Sequence, residues 1–396
     1  MQYNFDMVTE RWGTDSLKYD FAARRDKPAD ILPLWVADMD FPAPPAVLEA
    51  LAEKSRHGIF GYSDAAGEDY FDALAAWYGE HFGWKLSPRW LLKSPGVVFA
   101  ICAAIRALTE AGDAVLLQQP VYYPFQYAVE NNGRRLVVNE LVYADGRYTV
   151  DLNDFEDKIV KNQVKLFILC SPHNPVGRVW TREELTAMGD LCVKHGVRVV
   201  SDEIHADFVY PGHRHQVFAA LKDEFADISI TCTSPSKTFN LAGLQISNIW
   251  ISNAEIRRRV RAEIHKTGYD LPNVMGLVAC RAAYTRGAPW LDALKEYLFA
   301  NLDYVRSFLA EQLPQIRLVE PEGTYLLWLD CRALGLPDDQ LDELIIRRAG
   351  LWLDAGTLFG VGGEGFQRVN IACPRTTLER ALKKLKAAVD TLPRQA

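Results

Sequence analysis

Short apolar runs alternate with helix-patterned stretches from about residue 45 to 255, and no other feature constrains the fold as strongly. The stretches 46–57 and 97–110 have apolar residues at helical spacing, whereas the short runs between such stretches are almost continuously apolar. Such runs are typical of parallel strands that are buried on both faces. Strands that alternate with helices predict an α/β fold with a mostly parallel sheet flanked by helices. The predicted strands include 114–118, 136–139, 165–170, 197–201, 228–233 and 248–251.

One of these helices has clear signals at both ends. Thr181 is followed three residues later by Glu184, which is the capping-box pattern of a helix start. Gly196 follows His195, and glycine is the usual residue just beyond a helix end. We therefore expect a helix from Thr181 to His195.

The pattern changes after Asn273 and predicts an α+β segment. Its predicted elements are a helix to Tyr284, a long helix over 289–313, strands at 325–329 and 368–372, and helices near 341–349 and from about 377. The first 44 residues show no strong period, and we expect them to pack with this segment. The sequence thus predicts a large domain over 45–285 and a smaller one made of 1–44 and 286–396.

The composition excludes several classes of protein. The 396 residues carry 44 Lys and Arg against 51 Asp and Glu, a net charge of −7, and 49% are hydrophobic. This balance is unlike that of a disordered chain or a basic nucleic-acid-binding surface. No apolar run reaches the roughly 18 residues of a membrane helix, and the first residues lack a signal-peptide pattern. We expect a cytoplasmic protein with no membrane or nucleic-acid partner.

The seven cysteines are widely spread and form no C-x-x-C pair. An odd, scattered set fits neither a disulfide framework nor a zinc site, and we expect no metal. Most of them lie in apolar stretches, where a free cysteine behaves as a small hydrophobe. We therefore interpret them as filler of a reduced core.

Polar loops follow several of the predicted strands. The first, Ser94 to Val98, opens a helix, and the backbone N–H groups of Gly96, Val97 and Val98 would suit a phosphate. The second presents the amide of Asn174 between two prolines. Taken alone, the first loop is more simply explained as an ordinary turn and the second as a proline-stiffened connection.

Two further loops carry ionisable groups. Asp202 ends a buried run, where a carboxylate is costly unless a cation or strong donor faces it. Lys237 lies between hydroxyl residues and an apolar segment, and a desolvated lysine amine can attack a carbonyl. For the Asp202 loop alone, a surface acidic cluster explains the sequence equally well. For the Lys237 loop alone, a solvated lysine is the simpler explanation.

The four loops together are far more specific than any one of them. They supply a phosphate cradle, a polar amide, a carboxylate for a buried cation and a lysine for an aldehyde. Pyridoxal phosphate is the ligand that requires all of these groups at once. We therefore expect this cofactor at the carboxyl ends of the strands, where open α/β sheets bind ligands.

Six longer segments strengthen this expectation. They are LWVADMDF (34–41), HGIFGY (57–62), SPGVV (94–98), PVYYPF (120–125), SDEIH (201–205) and SKTFNLAGL (236–244). Through them the chain resembles, along essentially its whole length, the fold-type I pyridoxal-phosphate enzymes of the class I/II aminotransferase group. The resemblance is closest to their cystathionine β-lyase (C–S lyase) branch of the MalY/PatB type. It implies a large domain with a mostly parallel seven-stranded sheet, and a smaller α+β domain.

The resemblance also implies a role for each site residue. Lys237 would bind the cofactor aldehyde and carry the α-proton, and Tyr122 would stack on the cofactor ring as a second catalytic residue. Asp202 would pair with the ring nitrogen, and Asn174 would donate to the ring hydroxyl oxygen. The phosphate would be held by Gly96, Val97, Val98, Ser234, Ser236 and, from a neighbouring subunit of a homodimer, Tyr62.

Arg368 matches the arginine that binds the substrate α-carboxylate, an ideal partner for a guanidinium fork. The substrate site would also include Asn174 and Ala37. Arg375 is a nearby rival, which we interpret as a solvated loop charge because it follows Pro374. Trp35, Tyr123 and Phe359 either shape the substrate pocket or belong to the core.

Two positions depart from the wider aminotransferase pattern. Gln245 stands eight residues after Lys237, where many aminotransferases have a phosphate-binding arginine. His205 stands three residues after Asp202, where many have a tyrosine. His205 either tunes the ring hydroxyl or is a satisfied polar residue beside the site, and we prefer the second interpretation.

The resemblance implies β-elimination of a sulfur amino acid, which releases a thiol, pyruvate and ammonia. An aminotransferase would use the same residues, because the two reactions differ in where one proton goes and in the leaving group. A pyridoxal-phosphate-binding regulator is a third possibility, but no basic helix-turn-helix segment precedes the phosphate loop.

Overall fold

The computed structural model describes residues 3–64 and 67–393. Its strands are β1 (Leu32–Pro33), β2 (Leu91–Ser94), β3 (Ala114–Gln119), β4 (Arg135–Glu140), β5 (Val142–Ala144), β6 (Arg147–Thr149), β7 (Leu166–Cys170), β8 (Arg198–Asp202), β9 (Ser229–Thr233), β10 (Ser247–Trp250), β11 (Arg317–Val319), β12 (Leu326–Asp330), β13 (Leu351–Trp352), β14 (Asp354–Ala355) and β15 (Phe366–Asn370). Its α-helices are α1 (Pro45–His57), α2 (Glu68–Phe82), α3 (Val97–Leu108), α4 (Pro124–Asn131), α5 (Leu152–Asn162), α6 (Arg182–His195), α7 (Asp223–Ile228), α8 (Pro235–Thr238), α9 (Ala254–His265), α10 (Val274–Arg286), α11 (Ala288–Gln312), α12 (Asp338–Glu343) and α13 (Arg375–Val389).

The central sheet has seven strands in the order β2-β10-β9-β8-β7-β3-β4. The strands β9, β8, β7, β3 and β4 pair in parallel, and β10 alone runs antiparallel to its two neighbours. The predicted α/β fold with a mostly parallel seven-stranded sheet is therefore confirmed. The parallel strands carry all their carboxyl ends at one edge of the sheet.

Helices cover both faces of this sheet because successive side chains of a strand point to opposite faces. In β8, Val200 packs with Ile101 of α3 in one core cluster. Its neighbour Val199 packs with Leu185 of α6 in another cluster. The continuous apolar run of β8 thus reflects burial on both sides.

A second sheet, of order β11-β12-β15-β14, accompanies α11 and α13 in the C-terminal part. The N-terminal arm reaches this part, since Leu32 and Pro33 pair in parallel with Leu351 and Trp352. The expected contact between the arm and the C-terminal segment is thus present. The boundaries 45–285, and 1–44 with 286–396, remain a prediction.

The capping box predicted for α6 is confirmed. The Thr181 hydroxyl accepts from the Glu184 N–H at 3.2 Å, and the Glu184 carboxylate accepts from the Thr181 N–H at 2.8 Å. Gly196 closes the helix with a φ of 69°, in the left-handed region that glycine adopts easily.

Two C-terminal predictions differ in detail from the structure. The helix expected over 341–349 begins at Asp338 and continues as a π-helical turn over Leu344–Arg348. The terminal helix begins at Arg375 rather than near Thr377, because the carbonyl of Pro374 accepts the first turn's N–H groups of Thr377 and Leu378. The hairpin of β5 and β6 was not predicted, since its strands are only three residues long.

No helix within residues 3–64 and 67–393 is long and apolar enough to cross a membrane. All seven cysteines are free thiols; Cys102 is half-buried and the other six are buried.

Candidate active site

A cavity of about 220 Å³ lies at the carboxyl ends of the parallel strands. The predicted loops converge there because parallel strands end at the same edge of a sheet. Tyr62 and Arg368 do not line this cavity, but Arg368 binds the lining residue Asn174. The predicted residues that line it are Ala37, Gly96, Val97, Val98, Tyr122, Asn174, Asp202, His205, Ser234, Ser236 and Lys237.

Lys237 lies on the short helix α8, directly after β9. Its Nζ donates a hydrogen bond to the carbonyl oxygen of Ala37 at 2.7 Å. Burial, helped by the charge of Arg368 and opposed by those of Asp38 and Asp202, lowers the pKa of Lys237 to about 8. A large fraction of this amine is therefore neutral near pH 8, and a neutral amine can act as nucleophile or base.

Asp202 is the last residue of β8 and is buried. Its carboxylate accepts from the Ile204 N–H at 3.0 Å, and it forms no salt bridge with the described part of the chain. Burial raises the pKa of Asp202 to about 7, although the Ile204 N–H and Lys237 oppose this. A cation in the cavity would favour the ionised carboxylate.

The N-terminus of α3 forms the opposite end of the cavity. Gly96 is the residue before this helix, and the N–H groups of the first helical turn have no partner within the helix. Ser236 lines the same end. The hydroxyl of Ser234 accepts from the Ser236 N–H and donates to the Ile246 carbonyl at 2.8 Å. Ser234 thus caps the lysine helix, and its hydroxyl hydrogen is bound by the Ile246 carbonyl.

Arg368 lies on β15 and is almost fully buried. Its guanidinium donates to Asn174 Oδ1 at 3.0 Å and to the Trp35 carbonyl at 2.8 Å, and it is ion-paired with Asp354. The same group lies over the Phe359 ring at 4.9 Å. Its Nε has no partner, so the guanidinium retains donor capacity for a further anion.

Asn174 and Tyr122 come from neighbouring loops that bind each other. The Tyr122 N–H donates to the Asn174 carbonyl at 3.0 Å, and the Asn174 N–H donates to Cys170 Sγ at 3.5 Å. Cys170 lies in the apolar core, as we expected of the cysteines, and it also lines the cavity wall. Burial raises the pKa of Tyr122, which keeps its phenol neutral.

His205 contradicts the interpretation of a satisfied polar residue. It is buried in the cavity wall, and its Nδ1 has no hydrogen-bond partner among the residues that the structure describes. Burial, with the positive charges of Lys237 and Arg368, lowers the pKa of His205 to about 3. The ring is thus neutral, with one nitrogen left for a ligand.

Arg375 is not the solvated loop charge that we expected. It begins α13 and is half-buried; its Nε donates to Asn301 Oδ1 at 2.8 Å, and its guanidinium lies over the Tyr304 ring. It does not line the cavity, because the chain turns into a helix at this point and directs it to α11.

Three residues at the site were not foreseen. Asp354 is the ion-pair partner of Arg368, and Asp38 influences Lys237 electrostatically. Asn240 binds the backbone of Met39 through both ends of its amide. Asp38 lies in the segment LWVADMDF and Asn240 in SKTFNLAGL, so these motifs could have indicated both residues. No motif indicates Asp354.

The described residues fit pyridoxal phosphate. Asp202 lacks a cation that the ring nitrogen would provide, and the unpartnered Nδ1 of His205 lies in the same wall. The helix start after Gly96 suits a phosphate. The lowered pKa of Lys237 leaves part of its amine unprotonated, and that form can react with an aldehyde.

Comparisons with known proteins agree with this geometry. The family model "Aminotransferase class I and II" matches residues 29–385. Cystathionine beta-lyase PatB of Bacillus subtilis is 46% identical, with 98% of this chain and 100% of that protein covered. Protein MalY of Escherichia coli is 35% identical, with 98% and 99% covered.

A solved structure extends the comparison to three dimensions. Cystalysin from Treponema denticola, whose crystal structure contains a pyridoxal 5'-phosphate cofactor, is similar with a TM-score of 0.96 at 36% identity. The alignment covers 99% of this chain and 100% of cystalysin. The chain therefore belongs to the class I and II aminotransferase family of pyridoxal-phosphate enzymes, in its branch of PatB- and MalY-type C–S lyases.

Proposed function

We propose that this protein is a pyridoxal-phosphate-dependent carbon–sulfur lyase. It would cleave cystathionine or another cysteine S-conjugate by β-elimination into a thiol, pyruvate and ammonia. The observation that carries the proposal is the buried Lys237 amine, which lies close enough to Asp202 and Arg368 for both charges to act on it. The similarity to a named cystathionine beta-lyase over 98% of the chain supports this choice of reaction.

When bound, the cofactor supplies an electron sink for the negative charge that develops at the substrate α-carbon. Asp202 would hold a proton on the cofactor ring nitrogen, because that nitrogen would supply the cation that the buried carboxylate lacks. Tyr122 provides an aromatic face from the neighbouring loop. The amides of the first turn of α3 and the hydroxyl of Ser236 hold the phosphate.

Arg368 binds the substrate α-carboxylate. Asn174 contacts the guanidinium and keeps it in place for this role. A planar fork on a carboxylate orients the α-hydrogen as well as binding the substrate. Lys237, released as a neutral amine, then removes the α-proton.

Elimination follows from that proton transfer. The electron pair of the α-C–H bond forms the new C=C bond as the β-C–S bond breaks, and the sulfur leaves as thiolate. Hydrolysis of the remaining three-carbon fragment yields pyruvate and ammonia. Lys237 holds the α-proton and is placed to return it to the leaving sulfur.

We further propose a homodimer in which Tyr62 completes the partner's phosphate site. Ile59, Phe60 and Tyr62 lie close together in sequence and are 66%, 59% and 98% exposed. Such exposed apolar side chains favour burial against another protein surface. Since Tyr62 does not line the cavity of its own chain, a second copy is the partner that it would serve.

A cytoplasmic location completes the proposal. Seven free thiols, six of them buried, suit a reducing compartment. The absence of any disulfide among the described residues is consistent with this location.

The reaction is tested with the purified holoenzyme and L-cystathionine. We expect pyruvate and free thiol in equal amounts without an added keto acid, and no activity above background in Lys237→Ala. Strict dependence on a keto acid would instead identify an aminotransferase, and thiol release by Lys237→Ala at the wild-type rate would exclude Lys237 as the base.

A further inference from the structure

The carbonyl oxygen of Ala37 holds the amine of Lys237. It accepts from Lys237 Nζ at 2.7 Å and from the Tyr325 hydroxyl at 3.0 Å. A carbonyl oxygen has two lone pairs, so both of its positions are occupied. When an amine donates a hydrogen bond to a fixed acceptor, the direction of its lone pair is also fixed. A base needs its lone pair oriented toward the proton that it removes.

The backbone around Ala37 is held by side chains from two distant parts of the fold. Asn240, three residues after the lysine, donates to the Met39 carbonyl and accepts from the Met39 N–H, both at 3.0 Å. Asn370 donates to the carbonyls of Val36 and Asp38 at 2.7 and 2.6 Å. These bonds place the segment against Lys237.

An ion cluster from the N-terminal arm ties down the same segment. Arg11 binds both carboxylate oxygens of Asp38, at 3.0 and 2.8 Å, and reaches Asp40 at 2.7 Å. Lys18 is fully buried, with its amine 3.0 Å from Asp40 and 3.6 Å from Asp38. Burial alone would raise the pKa of Asp38, but Arg11 and Lys18 outweigh it and lower the pKa. Asp38 is therefore ionised.

Several groups face Lys237 from the elements packed against it. The anions are Asp38 from the arm and Asp202 from β8, and the cation is Arg368 from β15. His205 and Tyr325 are neutral, since burial lowers the pKa of the histidine and raises that of the tyrosine. Asp38 is thus the one anion near the lysine whose charge is secured by ion pairs outside the cavity.

We propose that Asp38, held by Arg11, is a positioning residue for the reaction. It fixes the carbonyl that orients the Lys237 amine, and its negative charge, on the residue next to that carbonyl, acts on the amine. The proposal rests on the proposed role of Lys237 as base. It gives the N-terminal arm a part in catalysis although the arm does not line the cavity beyond Ala37.

Two substitutions with opposite expected signs test this proposal. Asp38→Asn removes a negative charge near the lysine, so its nitrogen holds a proton less tightly. Two pH values should therefore decrease by about half a pH unit or more. One is the pH at which kcat falls on the acidic side of its profile. The other is the pH midpoint of the absorbance change of the Lys237-bound cofactor. Arg11→Met leaves the Asp38 charge less compensated, so both should move up.

Asp330→Asn is the matched control, because Asp330 is also a mostly buried aspartate that is ion-paired with an arginine, Arg332, and it does not face Lys237. It should leave the absorbance midpoint unchanged. A merely structural role would lower the melting temperature or kcat without moving the midpoint. An unmoved midpoint in Asp38→Asn, or a shift of the same sign in both variants, would overturn the proposal.

If Asp38→Asn does not fold, Arg11→Met decides alone: an upward shift supports the proposal, and no shift or a downward shift overturns it. The absorbance titration needs no turnover. A failed lyase assay with shifted midpoints would therefore reject the proposed function and leave the assignment of Asp38 standing.

Discussion

The guanidinium of Arg368 binds several protein groups and keeps a donor for a ligand. Its nitrogens already bind Asn174, Asp354 and the Trp35 carbonyl, and Nε remains unpartnered. Five donors in one plane make this sharing possible, whereas a lysine ammonium is a compact charge with three donors. For Arg368, the planar arrangement of the guanidinium donors is therefore as important for binding as the positive charge.

Arg368→Lys should therefore impair substrate binding although it keeps the charge. The loss of one charge-assisted hydrogen bond predicts a fall in kcat/KM of about 10- to 100-fold, mainly through KM. Steady-state kinetics with L-cystathionine measure this effect.

Arg375→Lys is the control, because Arg375 contacts α11 rather than the cavity. It should leave KM within about twofold of the wild-type value. A larger effect of Arg375→Lys than of Arg368→Lys would show that the substrate carboxylate binds to the other arginine.

At the scale of elements, close helix contacts determine how the layers around the sheet fit. Gly189 of α6 faces Phe225 of α7, and a Cβ at this glycine would lie 2.4 Å from the ring. The ring cannot move aside easily, because Phe225 is fully buried and stacked on Phe218 at 4.9 Å. A side chain at position 189 would force α6 and α7 apart.

Gly189→Ala should lower the stability of the protein by about 1–3 kcal/mol through overpacking. A fall of several degrees in the melting temperature of the holoenzyme would show it. Gly79→Ala in α2 is the matched control, since its Cβ would meet nothing within 4 Å; helix propensity predicts a gain of about 0.5–1 kcal/mol there. Equal melting temperatures for the two variants would contradict this account of the α6–α7 contact.

At the scale of the whole molecule, distant parts of one chain build the site and a second chain is proposed to complete it. The arm supplies Ala37, the sheet edge supplies Asp202 and Lys237, and β15 supplies Arg368. Tyr62 is almost fully exposed and outside the cavity of its own chain. A symmetric dimer would then contain two shared sites.

Mixing two inactive variants tests this arrangement. We expect Tyr62→Ala to bind the cofactor weakly and Lys237→Ala to lack activity. In a mixed dimer, one site combines the Lys237 of one subunit with the Tyr62 of the other. After unfolding and refolding together, random pairing predicts about a quarter of the wild-type activity.

Each variant refolded alone is the control and should stay near its own low activity. No gain after mixed refolding, with mixed dimers demonstrated by a tag on one variant, would show that Tyr62 does not act across subunits. An active monomer in dilute solution by light scattering would contradict the shared site altogether.

Local patterns in the sequence were sufficient to predict most strands of the central sheet, several of the helices, and the loops that carry Asp202 and Lys237. Apolar periodicity and capping signals involve only a few neighbouring residues, so they can be recognised in the sequence before the tertiary structure is known. Parallel strands then bring their carboxyl ends to one edge, which places those loops together. The convergence of the predicted loops on one cavity follows from this rule.

Other features depend on residues that are far apart in the chain. Lys237 and Ala37 are 200 positions apart, and Arg368 and Asn174 are 194 apart. No local pattern encodes such pairs, because they form only when the whole core has packed. The fold class and the chemical groups of the site can therefore be predicted from the amino-acid sequence. The partners of Lys237 and Arg368, the unsatisfied nitrogen of His205 and the place of Arg375 depend on burial and long-range contacts, and these exist only in the folded chain.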